Sequence, residues 1–230
     1  MSAGPDETVR IPLFPLALVL FPGAQLPLHI FEPRYRAMLA DVRAGDGRFG
    51  IVLRTGEDER RIAPGFVGCY AHVREAVPLA DGRSNVLVDG GERFAVEGLV
   101  EDAGTPYHVA AVRPFRDGPV QDAAALESAA ARVRAAFARV ASAARILSSD
   151  FPLGADAADP PALPDSSTQV AFAVCAAVDF DLPARQRVLA SPDPVERTAY
   201  VAGLLERAAP EVEARAAVHR RAGSNGKGPH

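Results

Sequence analysis

Residues 12–36 read PLFPLALVLFPGAQLPLHIFEPRYR, an apolar segment punctuated by proline that we expect to decide the fold. Four X-Pro bonds precede Pro33, and each favours extended backbone in the residue before it, so neither a continuous helix nor a full central strand fits. We predict strand, turn and strand here, with Phe21-Pro22-Gly23-Ala24 as the turn. Much of the apolar content must be buried, and whatever stays exposed is a candidate for binding.

Working outward from this segment, residues 8–117 are predicted to form a β-rich domain. From Gly68 onward, apolar and polar side chains alternate with the period of a half-buried strand. We predict a turn at Gly90-Gly91 and a bulge at Gly98 in the strand that follows. One helix interrupts the strands: it begins at Pro33, ends near Gly45 and buries the stripe Tyr35, Met38, Leu39 and Val42.

After Asp117 the hydrophobic period changes to that of a helix, and alanine rises from 14 residues in 1–117 to 30 in 118–230. We therefore predict a C-terminal α-helical bundle over 118–221 and a disordered tail over 222–230. Pro210 is predicted to start or kink the last helix. The fold class predicted for the whole chain is α+β.

Composition excludes several classes of enzyme. The chain of 230 residues has a net charge of −4, and Lys227, in a glycine-rich stretch, is its only lysine. A Schiff-base enzyme, a Ser–Lys dyad and a P-loop each need a positioned amine, so we expect none of them, and no cofactor. Acidic and basic residues are evenly spread over both halves, which argues against nucleic acid as a partner.

Candidate catalytic and metal-binding residues are sparse. Cys69 and His72 have odd spacing on a predicted strand, so they point to opposite faces and cannot share a metal ion. Cys69 with His72 or His108 can be drawn as a thiol–base pair, but a buried core thiol is the favoured interpretation. We expect Cys69 and Cys175 to be reduced, as in the cytoplasm. No signal peptide, membrane span, catalytic residue or metal site is predicted.

Four short runs carry a family resemblance. They are LFPL at 13–16, VLFPG at 19–23, LPLHIFEPRY at 26–35 and GERF at 91–94. In these runs the chain resembles the N-terminal, substrate-binding domain family of Lon protease. A looser likeness, covering the chain to about residue 210, continues through these positions: Leu182, Pro183, Arg185, Gln186, Leu189, Asp193, Glu196 and Arg197.

The resemblance implies a PUA-like β pseudo-barrel with one inserted helix, followed by the helical bundle, used to recognise protein substrates. In full-length Lon an ATPase and a Ser–Lys peptidase follow this domain. The present chain has no Walker motif and no usable lysine, so we expect a stand-alone member to which those activities do not carry over.

We therefore expect a non-enzymatic module that binds apolar or unfolded polypeptide segments, with an ATPase or protease in trans as a further candidate partner and the oligomeric state left open. Its candidate peptide-binding residues are Phe31, Glu32, Arg34 and Tyr35, where two aromatic side chains flank charges. The alternative interpretation is structural, with the aromatic pair in the core and Glu32 paired with an arginine. Two other functions stay open: RNA binding, because PUA-like barrels are also used on RNA, and a peptidase.

Overall fold

The computed structural model describes residues 8–56, 62–148 and 161–225, with side chains to residue 221. Within these residues the chain forms a mixed α and β structure of six strands and five helices. The strands are β1 (Val9–Leu16), β2 (Gln25–Ile30), β3 (Arg48–Leu53), β4 (Val67–Pro78), β5 (Ser84–Leu99) and β6 (Val109–Pro114). The helices are α1 (Pro33–Ala44), α2 (Ala123–Ser148), α3 (Val170–Ala177), α4 (Leu182–Ala190) and α5 (Pro194–Asn225).

The strands form one sheet whose pairings return to their starting point. β1 is parallel to β3, and the pairs β3–β4, β4–β5, β5–β6 and β6–β1 are antiparallel, which makes a closed circuit of five strands. β2 lies outside this circuit and pairs with β5. It is the terminal strand at one end of the order β2-β5-β4-β3-β1-β6. β5 joins both parts, because its first half pairs with β2 and its second half with β6.

The proline-punctuated segment of residues 12–36 folds as its prolines predict. β1 and β2 are joined by the turn Phe21-Pro22-Gly23-Ala24, in which the Ala24 amide donates to the Phe21 carbonyl at 3.1 Å. Gly23 has φ 76°, which glycine adopts without steric cost. The prediction for α1 is also confirmed, because its buried residues are Tyr35, Met38, Leu39 and Val42 and its C-cap is Gly45.

The predicted turn at Gly90-Gly91 is wrong, since both glycines lie within β5. A Cβ at Gly90 would lie 2.1 Å from the carbonyl oxygen of Phe21. Gly90 is therefore needed because the main chain of the β1–β2 turn packs directly on β5. The bulge predicted at Gly98 is confirmed by a register shift between Val96 and Gly98 against β6.

The described residues divide into two compact units: those of Met1–Gly118 with Asp179–Pro192, and those of Pro119–Val178 with Asp193–His230. The sequence prediction placed all of 118–221 in one bundle, whereas α4 belongs to the strand-containing unit. Gln186 of α4 donates its side-chain amide to the Val67 carbonyl at 2.9 Å. Helical periodicity alone does not reveal such a long-range hydrogen bond.

The second unit contains α2, α3 and α5. Arg132 of α2 pairs with Glu206 of α5 at 2.7 Å, and Arg139 pairs with Glu213 at 2.8 Å, so the two helices run parallel. α5 is one helix with Pro210 inside it, and it continues to Asn225. Pro210 therefore does not start a separate helix, and residues 222–225, which were predicted to be disordered, belong to α5. Residues 226–230 lie outside the described residues.

Candidate functional site

Phe31 connects β2 to α1 and is the exposed member of the predicted site. Its side chain is 57% exposed, and its ring stacks against the His29 ring with centroids 6.1 Å apart. His29 is held in turn by its Nδ1 atom, which donates to Oδ1 of Asn85 on β5 at 2.8 Å. Phe31 is therefore an apolar side chain that the fold presents to solvent.

Glu32 and Arg34 form a local ion pair beside Phe31. Nε and Nη2 of Arg34 donate to Oε2 of Glu32 at 3.0 and 2.9 Å, and Glu32 is also the N-cap residue of α1. Both side chains are partly exposed, at 40% for Glu32 and 32% for Arg34. The pair lies at the start of the helix and presents one charge of each sign to solvent.

Tyr35 does not belong to the exposed surface, and the expectation that it contacts a peptide is corrected. It is 2% exposed, and its ring packs against Phe14 of β1 with centroids 4.1 Å apart. Tyr35 begins the apolar stripe of α1 that faces the sheet, whereas Phe31 precedes the helix. Tyr35 is therefore a core residue, whereas Phe31 is exposed and stays a candidate for binding.

A groove that sequence reasoning missed lies beside Phe31 on the sheet. In the register of β2, β5 and β4, Pro27 lies opposite Leu87 and Leu87 opposite Glu75, while His29, Asn85 and Val77 form the next row. Because strand side chains alternate, these six side chains share one face. We call the depression that they line the outer-face groove, and its volume is about 340 Å³. Val77 is 46% exposed there.

The edge of β2 that faces away from β5 is not paired with another strand in the described part of the chain. The Gly90 amide donates to the Ala24 carbonyl at 2.7 Å, and hydrogen-bonded pairs alternate along an antiparallel ladder. Gln25, Pro27 and His29 therefore direct their main-chain groups away from β5. Pro27 has no N–H, so donors remain only at Gln25 and His29 of these three.

The chemistry of Cys69 is that of a core thiol. It is fully buried, its Sγ donates to the Gly91 carbonyl at 3.3 Å, and burial raises the pKa of the thiol to about 12. Cys69 and Cys175 are both buried and form no disulfide within the described part of the chain, so both lie in the core as predicted. Among residues 8–56, 62–148 and 161–225, no group of three or more His, Cys, Asp or Glu is arranged to hold a metal ion.

The family model described as the ATP-dependent protease La (LON) substrate-binding domain matches residues 10–207. The chain belongs to the Lon substrate-binding domain family. The match runs through both compact units and includes Phe31 and the strands that line the outer-face groove. No helix in the part of the chain that the structure describes is long and apolar enough to cross a membrane.

Solved Lon N-terminal domains share the fold of this family member. A Lon N-terminal domain protein from Xanthomonas campestris has a TM-score of 0.54 and 21% identity, over 82% of this chain and 94% of that one. The N-terminal domain of Mycobacterium avium complex Lon protease has a TM-score of 0.63 and 15% identity, over 86% and 98%. At these identities the likeness is one of fold.

Curated relatives are Lon proteases that extend well beyond the matched region. A Lon protease from Solibacter usitatus is 25% identical over 207 residues, which are 87% of this chain and 24% of that protein. Lon protease 4 from Sorangium cellulosum is 37% identical over 98 residues, which are 41% and 12%. The chain thus spans at most about a quarter of the length of these two relatives.

Proposed function

We propose that this chain is a non-enzymatic recognition module that binds apolar or unfolded polypeptide segments on the outer face of β2, β5 and β4. Membership of the Lon substrate-binding domain family supports a role in recognising protein substrates. The observation that carries the proposal is Phe31, a large apolar side chain that is 57% exposed next to the outer-face groove. Aromatic side chains are enriched in protein interfaces and serve there as anchors when the partner covers them.

The groove favours docking on the face of the sheet over strand addition at its edge. Its six defining side chains include the apolar Pro27, Val77 and Leu87, which an apolar segment covers while releasing water. The free edge of β2 is the weaker route, because Pro27 interrupts its row of N–H donors. Glu32 and Arg34 border the surface and are placed to contact polar groups of the segment.

The finer features implied by the family resemblance belong to the same proposal. We take the closed circuit of strands to be the PUA-like pseudo-barrel and the helices of 118–221, apart from α4, to be the C-terminal bundle. An ATPase or protease that acts in trans is the proposed partner, and the buried free thiols support a cytoplasmic location. Neither RNA binding nor peptidase activity is favoured by the geometry of the described residues.

The first prediction tests Phe31 as an anchor. We expect Phe31→Ala to weaken binding of fluorescently labelled, unfolded casein by roughly fivefold or more, because truncation of an interface aromatic removes a large apolar contact. Fluorescence anisotropy titrations give the dissociation constants, and circular dichroism shows that the variant is folded.

Val218→Ala is the matched control for this experiment. Val218 of α5 is 66% exposed, so the control also removes an exposed apolar side chain, but from the other compact unit. Binding should be unchanged by it. A chain that fails to bind casein, or equal affinities for the parent and Phe31→Ala, would contradict the proposed function.

A further inference from the structure

Glu75 stands out among the charged residues on the outer face of β2, β5 and β4. The face carries ion pairs and hydrogen bonds: Arg74 lies 3.4 Å from Asp89, Gln25 donates to Asp89 at 3.1 Å, and His29 bonds Asn85. By contrast, the exposed carboxylate of Glu75, which lines the groove, has no hydrogen bond or ion pair with any residue that the structure describes. Among the residues that the structure describes, Glu75 is thus a carboxylate of the groove without a charged partner.

The surroundings of Glu75 are apolar. Leu87 and Pro27 lie next to it in the same row across the strands, and Val77 is two residues further along β4. A bound segment that covers these side chains excludes water from the carboxylate, and an ion pair formed there is stronger than one in open solvent. A covered carboxylate with no partner is costly instead. An apolar segment with a basic side chain at this point is therefore favoured over one with an acidic side chain there.

The spacing of the side-chain rows across β2, β5 and β4 determines which pattern of side chains in a bound segment fits the groove. Side chains at i and i+2 of an extended segment are about 7 Å apart on one side, as are successive rows of the sheet. A segment that places one side chain over Glu75 therefore places a side chain two residues away, at i+2 or i−2, over the row that contains His29 and Val77. Lys and Arg suit the position over Glu75, because their alkyl stems cover Leu87 while the charged head reaches Glu75.

We propose that, given the proposed function, the outer-face groove selects extended polypeptide segments in which a Lys or Arg and an apolar side chain are two residues apart, in either order. The basic group pairs with Glu75, and the apolar residue packs toward Val77 and Phe31. The complementary charges determine which apolar segments bind, and the apolar contacts supply the common part of the affinity.

The second prediction tests this selectivity with three labelled peptides that are identical except for Lys, Gln or Glu at one central position among alternating apolar residues. For the parent chain we expect the Lys peptide to bind roughly threefold to tenfold more tightly than the Glu peptide, with Gln between them, as for one partly desolvated ion pair. Glu75→Lys should reverse the order, and Glu75→Gln should abolish it. A higher salt concentration should reduce the differences in affinity among the three peptides.

Glu127→Lys is the matched control, because it changes net charge equally at an exposed carboxylate of α2 in the other unit. It should leave the order of the peptides as in the parent chain. If all three peptides bind equally, or if Glu127→Lys reverses the order as Glu75→Lys does, the proposal for Glu75 is wrong. Peptide binding that is still weakened by Phe31→Ala would then leave the proposed function standing, whereas failure of both peptides and casein to bind would overturn both.

Discussion

At the scale of the residue, Phe94 shows how the GERF run contributes to the core. Phe94 is fully buried, and glycines on β3 and β4 leave room for its ring. A Cβ at Gly50 would lie 2.6 Å from Cζ of Phe94, and one at Gly68 would lie 2.4 Å from the same atom and 2.7 Å from the main-chain oxygen of Ile51. The ring and the two glycines therefore form one packing unit across three strands.

The third prediction follows from this contact. Gly68→Ala should lower the free energy of unfolding by about 1–3 kcal/mol, because overpacking forces Phe94 and its neighbours to shift. Gly98→Ala provides the comparison, since a Cβ at Gly98 meets no atom within 4 Å. Urea denaturation of both variants measures the difference. Equal stability of the two variants would refute this account of Gly68.

Arg93, next to Phe94, shows how a residue in a recognised motif acquires its role from distant partners. It is 5% exposed, and its Nη1 atom donates to the carbonyls of Leu189 at 2.7 Å and Ser191 at 2.8 Å, while Nη2 pairs with Asp117. The planar guanidinium suits such a fork of acceptors, which a lysine would not satisfy. Arg93 thereby joins the end of α4 to β5.

The fourth prediction concerns the reactivity of Cys69. Burial raises the pKa of its thiol from 9.0 to about 12, so the folded chain keeps the proton at pH 8 to 9 while an unfolded chain begins to lose it. We expect Cys69 to resist alkylation by iodoacetamide at pH 8 and to react fully in denaturant, as measured by mass spectrometry of its peptide. Rapid labelling of the native chain would contradict the assignment as a core thiol.

The same shift has a defined sign for stability. Because the pKa is raised on folding, this thiol contributes its full stabilisation below pH 9, and the contribution decreases as the pH rises toward 12. Its burial therefore favours the folded state at neutral pH and less so in alkali.

At the scale of the element, β2 illustrates how an exposed strand edge is protected. Its outward main-chain groups belong to Gln25, Pro27 and His29, and the proline removes the central donor of the three. Uninterrupted edges serve as templates for pairing with a second copy of a chain, and proline is a common protection against it. The proline that helps to line the groove thus also blunts the edge.

The fifth prediction tests that protection. Pro27→Thr restores the missing donor and raises β-propensity, so we expect it to increase concentration-dependent self-association, measured by analytical ultracentrifugation. Gln25→Thr raises β-propensity at the same edge without adding a donor, and it should stay closer to the parent chain. Equal association of the two variants would show that the missing donor is not what limits pairing.

Two ion pairs with matched spacing connect the helices α2 and α5. Arg132 and Arg139 are seven residues apart, as are their partners Glu206 and Glu213, and a heptad returns each side chain to nearly the same face of its helix. These pairs are half-exposed, so their contribution to stability is small. Their matched spacing instead favours one alignment of the two parallel helices.

At the scale of the whole molecule, the sequence correctly predicted features that are signalled by residues close together in the chain. The proline spacing of 12–36, the apolar stripe of α1 and the bulge at Gly98 all depend on neighbouring residues, and the structure confirms them. The continuity of β5 through Gly90 and the placement of α4 depend on contacts with distant segments. Periodicity carries no signal for these contacts, and the prediction was wrong at Gly90 for this reason.

The same distinction between local and long-range determinants applies to the candidate site. Phe31 was a candidate from sequence, but Tyr35, four residues later, lies on the buried face of α1, as its place in the apolar stripe had already indicated. The outer-face groove was missed because its six side chains become neighbours only through the register of three strands. Along the sequence Val77 continues the apolar alternation of Ala71 and Val73, and the register shift between Val73 and Glu75 places it on the outer face instead.

The position of β2 outside the closed circuit separates two tasks within one sheet. Its exposed side chains can be exchanged without opening any of the five pairings of the circuit, since β2 is joined to β5 alone. Substitutions at Gln25 and His29 can thus alter the proposed recognition while the rest of the sheet is kept constant, with Pro27 retained to protect the edge. A scaffold of this kind is suited to directed evolution, with the variable positions confined to one replaceable strand.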